Sequence, residues 1–138
     1  MVSMRDLEEV ALRMPGASLE LRHDDRPTFV VDLKQFCFHR TKRRDALDPA
    51  TGEPLDDVLV FSVADEEMKS MWLSQRPTVY FTTDHFNGYS AILVRIASLA
   101  DIDLEELTEL VSDAWLARAP KRLAQKWLAD QGLGEDSD

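Results

Sequence analysis

Apolar positions recur at two spacings along the chain, three-to-four and two, and their alternation sets out the elements. Leu7, Val10, Ala11 and Met14 form one stripe at helical spacing. Ser3 lies ahead of it with Asp6 three residues on, the pairing of a capping box, so a first helix is predicted from Ser3 to Met14. Pro15-Gly16 ends it. Leu19 to Arg22 is a short strand candidate, and His23-Asp24-Asp25-Arg26-Pro27 is a polar turn whose proline suits a turn or a strand edge. Thr28 to Asp32 and Gln35 to Thr41 are rich in aromatic and β-branched residues, which predicts a hairpin turning at Leu33-Lys34.

From Lys42 to Asp57 the periodicity disappears, and Asp48-Pro49, Thr51-Gly52 and Glu53-Pro54 punctuate what reads as a long mobile loop. Val58 to Val63 resumes a strand. Asp65 to Gln75 is a helix with Met68, Met71 and Trp72 inward, stopped by the restriction that Pro77 places on Arg76. Thr78 to Thr83 and Ser90 to Ala97 are strands flanking Asn87-Gly88, a favoured pair for a tight hairpin turn. Finally, Leu104, Leu107, Val111, Ala114, Trp115 and Arg118 recur on one face of a helix that Asp103 caps. Pro120 either stops that helix at Ala119 or kinks it there, with Pro120 as the first residue of a new helix.

Short turns between successive strands require antiparallel pairing, and helices placed before, between and after the strands collect on one face of the sheet. The expected class is α+β, as one domain over residues 1–131 with a short acidic tail at 132–138. At 138 residues the chain can bury a core without disulfides or metal, and 44% hydrophobic with 30% charged residues is the composition of a folded domain. No apolar run approaches a bilayer span, and the first residues are charged and amphipathic, so the expected location is the cytoplasm. Cys37 is the only cysteine, which excludes an internal disulfide.

Charge changes the picture. The net charge of −10 argues on average against phosphate backbones as partners, yet Arg40, Lys42, Arg43 and Arg44 form one basic cluster, and Arg118, Lys121, Arg122 and Lys126 form another. The plain reading is two solvated faces. The functional one is a single patch able to hold phosphates, because remote carboxylates are screened over about 8 to 10 Å.

Chemistry is harder to find. Cys37 and His39 share a face of a predicted strand, but Phe36 and Phe38 flank the cysteine and strand neighbours seldom give the geometry of a dyad. His23, His39 and His85 with Asp24, Asp25 or Asp84 match no recognised metal spacing. No phosphate-cradling glycine loop, nucleophile elbow or HExxH helix is present. We expect no catalytic residues, no metal and no cofactor. Trp127, on a basic segment, marks either a partner surface or a docked helix.

Three pieces resemble the MmcQ/YjbR-like family of small bacterial proteins: Arg26-Pro27-Thr28-Phe29-Val30-Val31 leading to Lys34-Gln35-Phe36-Cys37-Phe38; Arg76-Pro77-Thr78-Val79-Tyr80-Phe81; and Ala114-Trp115 followed by Ala119-Pro120-Lys121-Arg122-Leu123. The N-terminal Leu12-Arg13-Met14-Pro15-Gly16-Ala17 extends the likeness over nearly the whole domain. The resemblance implies a CyaY-like α+β fold, no established reaction, and a proposed DNA-binding role through two hairpin wings and helical residues. The site residues it suggests, together with the charge pattern, are Arg40, Lys42, Arg43, Arg44, Lys121, Arg122 and Lys126, and the expected partner is double-stranded DNA bound weakly and salt-sensitively. The alternative is a protein- or small-ligand-binding module built on Trp127, Phe86 and Tyr89. A third reading, by analogy with the CyaY-like fold, is metal at an acidic ridge of Asp6, Glu8 and Glu9.

Overall fold

The computed structural model describes residues 2–22, 24–42, 44, 46–83 and 88–132. Six strands form one antiparallel sheet in the order β1-β2-β3-β4-β6-β5, with β1 at Ala17–Arg22, β2 at Arg26–Val31, β3 at Lys34–His39, β4 at Val58–Ser62, β5 at Tyr80–Phe81 and β6 at Ala91–Arg95. Helix α1 (Met4–Arg13) precedes the sheet and α2 (Glu66–Gln75) lies between β4 and β5. After β6 come a 3-10 segment at Ile96–Asp101, α3 (Leu104–Arg118) and α4 (Lys121–Asp130).

Each helix starts where its cap says it should. Ser3 accepts from the Asp6 N–H while the Asp6 carboxylate accepts from the Ser3 N–H, and Asp65 and Asp103 cap α2 and α3 through Met68 and Glu106. Pro120 stands just before α4 and ends α3 by leaving Ala119 extended.

The strands depart more from expectation. The β2–β3 turn is Asp32-Leu33, one residue earlier than Leu33-Lys34, with both residues at positive φ (51° and 68°). This is the backbone of a two-residue hairpin turn with the hand that suits the strand twist. One step further, Val30 pairs with Gln35 and Phe29 with Cys37, so Phe36 is an extra residue in β3. That bulge puts Phe36 and Cys37, both fully buried, in the same core despite their adjacency. Pro27 sits inside β2, a non-edge strand, yet the β2–β3 pairing begins only at Thr28, so its missing N–H leaves no gap in the ladder. β5 keeps only two residues of the expected Thr78–Thr83, and the 3-10 segment takes over the end of the expected Ser90–Ala97 strand. β5 and β6 do pair as a hairpin, whereas Asn87 of the expected turn lies outside the described residues.

Two cores result. The larger lies on the helical face, where Phe29, Val31, Leu59, Phe61, Ile92 and Val94 meet Leu7 and Val10 of α1, Trp72 of α2, and Leu107, Val111 and Trp115 of α3. The smaller lies on the other face, where Val58, Val60 and Leu93 pack beneath Ala46 and Leu55. Those two cover residues come from the stretch read as a mobile loop, which folds back on itself through a Leu47–Pro54 bridge. Leu104, expected on the buried face of α3, is instead 54% exposed.

Candidate nucleic-acid interface

The registers fix where each basic cluster sits. One end of the sheet carries Ala17, Val31, Lys34, Ser62 and Ala91; the opposite end carries Arg22, Arg26, His39, Val58 and Arg95. The chain leaves β3 at the second end, where the Arg40 N–H bonds the Val58 carbonyl, with Lys42 and Arg44 following. α4 begins at the first end: the Arg118 Nε donates to Ser62 Oγ at 3.2 Å, and the Trp115 Nε1 donates to the Pro15 carbonyl at 2.9 Å. The clusters are therefore separated by a strand length, about 17 to 20 Å. They do not form the single patch that the sequence allowed.

At the far end, Arg40 is only 5% exposed, and as placed its side chain cannot face a phosphate. A strand residue continuing a buried pair of strands points its stem inward, which a charge run in the sequence does not reveal. Lys42 and Arg44 are exposed, and Arg43 lies outside the described residues. The surroundings are acidic. A hollow of about 330 Å³ beside the segment is lined by Asp48, Glu53, Asp56, Asp57 and Arg95, among others. Arg26 is tied to the Asp56 carboxylate and lies 2.8 Å from His39 Nε2, which is itself 2.7 Å from the Asp56 carbonyl. The hydrogen bond from Arg26 holds the Asp56 carboxyl below the usual carboxylate range. This Arg26–His39–Asp56 knot anchors the covering segment, and nothing in the sequence spacing signals it.

At the near end, α4 turns Leu123 and Trp127 inward and Lys121, Arg122, Gln125 and Lys126 outward. Leu123 reaches the Pro15-Gly16 turn, and the Trp127 ring lies 5.6 Å from that of Trp115. Trp127 thus docks the helix rather than displaying an indole to a partner. Of the other apolar candidates, Tyr89 is 57% exposed and Phe86 lies outside the described residues. Lys126 is 3.8 Å from Asp130, but Lys121 and Arg122 make no ion pair among the described residues. Arg5, Arg22, Arg26, Arg76 and Arg95 all lie within reach of a carboxylate, whereas exposed Arg13 and Lys34, like Lys121 and Arg122, make no ion pair among the described residues.

The remaining titratable groups hold the helical face together. Tyr80 donates to Glu106 at 2.6 Å, Arg76 pairs with the same carboxylate at 3.1 Å, and Trp72 donates to Asp113 at 3.1 Å. Burial and the Glu106 charge push the Tyr80 hydroxyl up. Burial, with Glu109 adding to it, raises the Asp113 carboxyl. Cys37 is fully buried and its thiol is pushed far up, away from the thiolate a nucleophile needs. Its expected neighbour His39 belongs to the Arg26 knot. Among the described residues no group of three His, Cys, Asp or Glu is arranged to hold a metal ion, and no helix is long and apolar enough to cross a membrane. His23 and His85 lie outside the described residues.

Comparison with known proteins agrees with this architecture. The chain is 38% identical over 136 residues to uncharacterized proteins of Mycobacterium tuberculosis and Mycobacterium bovis, covering 96% of this chain and all of theirs. It is 33% identical over 102 residues to part of a cysteine–tRNA ligase of Shouchella clausii, covering 71% of this chain but 22% of the ligase. The crystal structure of Deinococcus radiodurans protein DR2400, with its domain DUF419, superposes with a TM-score of 0.60 at 18% identity, covering 98% of this chain and 91% of that one. The YjbR family profile matches residues 12–117, from the last two residues of α1 through nearly all of α3, and the chain belongs to the YjbR family.

Proposed function

We propose that this protein is a non-enzymatic nucleic-acid-binding module that holds the phosphate backbone through the outward face of α4, with Lys121 and Arg122 as the principal contacts and Lys126 beside them. One observation carries the reading: in a chain of net charge −10, these two exposed cations on one helix face have no carboxylate partner among the described residues. Guanidinium and ammonium groups so placed suit phosphate oxygens. Lys42 and Arg44 form a second, weaker contact at the other end, opposed by the acidic residues around them. The likeness to part of a cysteine–tRNA ligase, a protein that by its name acts on tRNA, supports a nucleic-acid partner and makes structured RNA as reasonable a probe as duplex DNA. The contacts proposed are to phosphates alone, so binding is weak and indifferent to sequence.

Fluorescence anisotropy of a labelled DNA duplex and of a labelled tRNA, each at low and moderate salt, tests the proposal. Binding is expected to fall steeply as salt rises, and Lys121→Glu with Arg122→Glu to remove most of it and to flatten the salt slope by about two. Absence of binding to both probes at low salt, or a salt slope untouched by the double substitution, overturns it.

A further inference from the structure

Strand β1 closes the sheet on one side, while the opposite edge strand, β5, has only two residues. The β2–β3 turn closes on Val31 and Lys34, which exchange backbone hydrogen bonds. Alternation along an antiparallel ladder then turns the backbone groups of Val30 and Thr28 towards β1, and those of their partners Ser18 and Glu20 towards β2. The N–H and C=O of Leu19 and Leu21 consequently face outward from the sheet. Leu21 also carries a side chain 61% exposed, a poor surface residue on an open strand edge.

We propose that a second copy of this chain pairs here, antiparallel, about a two-fold axis at Leu21, joining two six-stranded sheets edge to edge. Backbone alternation permits an axis at Leu19, Glu20 or Leu21, and the surroundings discriminate among them. An axis at Glu20 sets that carboxylate directly against its own copy, a destabilising pairing of like charges. An axis at Leu19 brings the far end of the second strand against Gly16, where α4 already packs: a Cβ at Gly16 would lie 3.4 Å from Leu123 Cδ2. An axis at Leu21 keeps the contact on the uncovered half of β1. It sets Leu21 against the partner's Leu21, Glu20 against the partner's Arg22, and Arg22 against the partner's Glu20. These charged pairs fall on non-hydrogen-bonded positions, where opposed side chains are closest. Within one chain the Arg22 Nε donates to Glu20 Oε1 at 2.9 Å and its Nη1 to Gln35 Oε1 of β3 at 3.3 Å, so both charged heads lie on one face of the sheet, and Arg22 exchanges the Gln35 bond for the partner's Glu20. Charge complementarity therefore selects a second copy as the occupant, and one register for it. α4 and its basic face remain free.

Sedimentation velocity on the full chain, from low micromolar to near-millimolar protein, tests this. A monomer–dimer equilibrium is expected, weakened by salt. Glu20→Arg is expected to weaken dimerisation about tenfold by setting cations against cations, and Glu20→Arg combined with Arg22→Glu to restore it. Circular dichroism confirms that each variant is folded. A wild-type monomer at every concentration, a dimer indifferent to Glu20→Arg, or a double variant that fails to recover association overturns the proposal.

Discussion

Asp113 shows how a single residue changes meaning between sequence and structure. In the sequence it is one acidic residue among many on a helix; in the fold it is half-buried, accepting from Trp72 Nε1–H, with Glu109 four residues before it on the same helix. Its ionised form is disfavoured by burial first and by Glu109 second, so its folded pKa lies above the unfolded value. Below the unfolded pKa it is neutral in both states and exerts no strain; as pH rises through the folded pKa, ionisation lowers stability, and that loss persists at neutral pH. Asn keeps an acceptor for Trp72 without the charge. Asp113→Asn is therefore expected to raise the urea midpoint at pH 7 and to match the wild type near pH 3, compared by tryptophan fluorescence. Glu106 was legible only as a first-turn carboxylate of α3. That it also receives the Tyr80 hydroxyl and Arg76 depends on where β5 lands, and no local spacing encodes that.

Helices were legible because their signals are local. Ser3, Asp65, Asp103 and Pro120 each mark a start, and the structure places α1, α2, α3 and α4 beside them. Strand register was less legible because it depends on partners. The turn residues Asp32 and Leu33 both take positive φ although neither is glycine, so sequence preference pointed one residue too far along. The Phe36 bulge likewise arises from packing two adjacent apolar side chains into one core. Leu33 is 92% exposed and buries nothing to offset its left-handed backbone. Leu33→Gly is accordingly expected to stabilise the protein by about 1 kcal/mol, seen as a higher thermal midpoint with unchanged circular dichroism. A loss of stability would mean that the leucine makes contacts this geometry does not show.

At the scale of the molecule, the sheet order decides which basic residues can act together. Two charge clusters are visible in the sequence, but their placement at opposite ends follows from the chain leaving β3 at one end of the sheet and starting α4 beside the other. A separation of about 17 to 20 Å exceeds the Debye length of about 8 Å at physiological ionic strength. Lys42→Glu with Arg44→Glu and Lys121→Glu with Arg122→Glu should then contribute independently: in anisotropy titrations the quadruple variant's loss in binding free energy should equal the sum of the two pairs within about 0.5 kcal/mol. A clear departure from that sum would mean that one nucleic acid bends around both ends. The family and the α+β class were readable from the chain because they rest on local motifs; the division of the basic surface was not, because it is a property of the topology.

The two cores also give the molecule two different ways to open. Helices seal the larger one, whereas Ala46 and Leu55 close the smaller from a segment secured by a single bridge and the Arg26 knot. That flap can lift without unzipping any pair of strands, a small excursion well short of unfolding. While it is raised, Val58, Val60 and Leu93 form a bare apolar stripe on two neighbouring central strands. The hazard of self-adhesion therefore belongs to a fleeting, nearly native species, and it is governed by the hold on one surface segment more than by the overall strength of the fold.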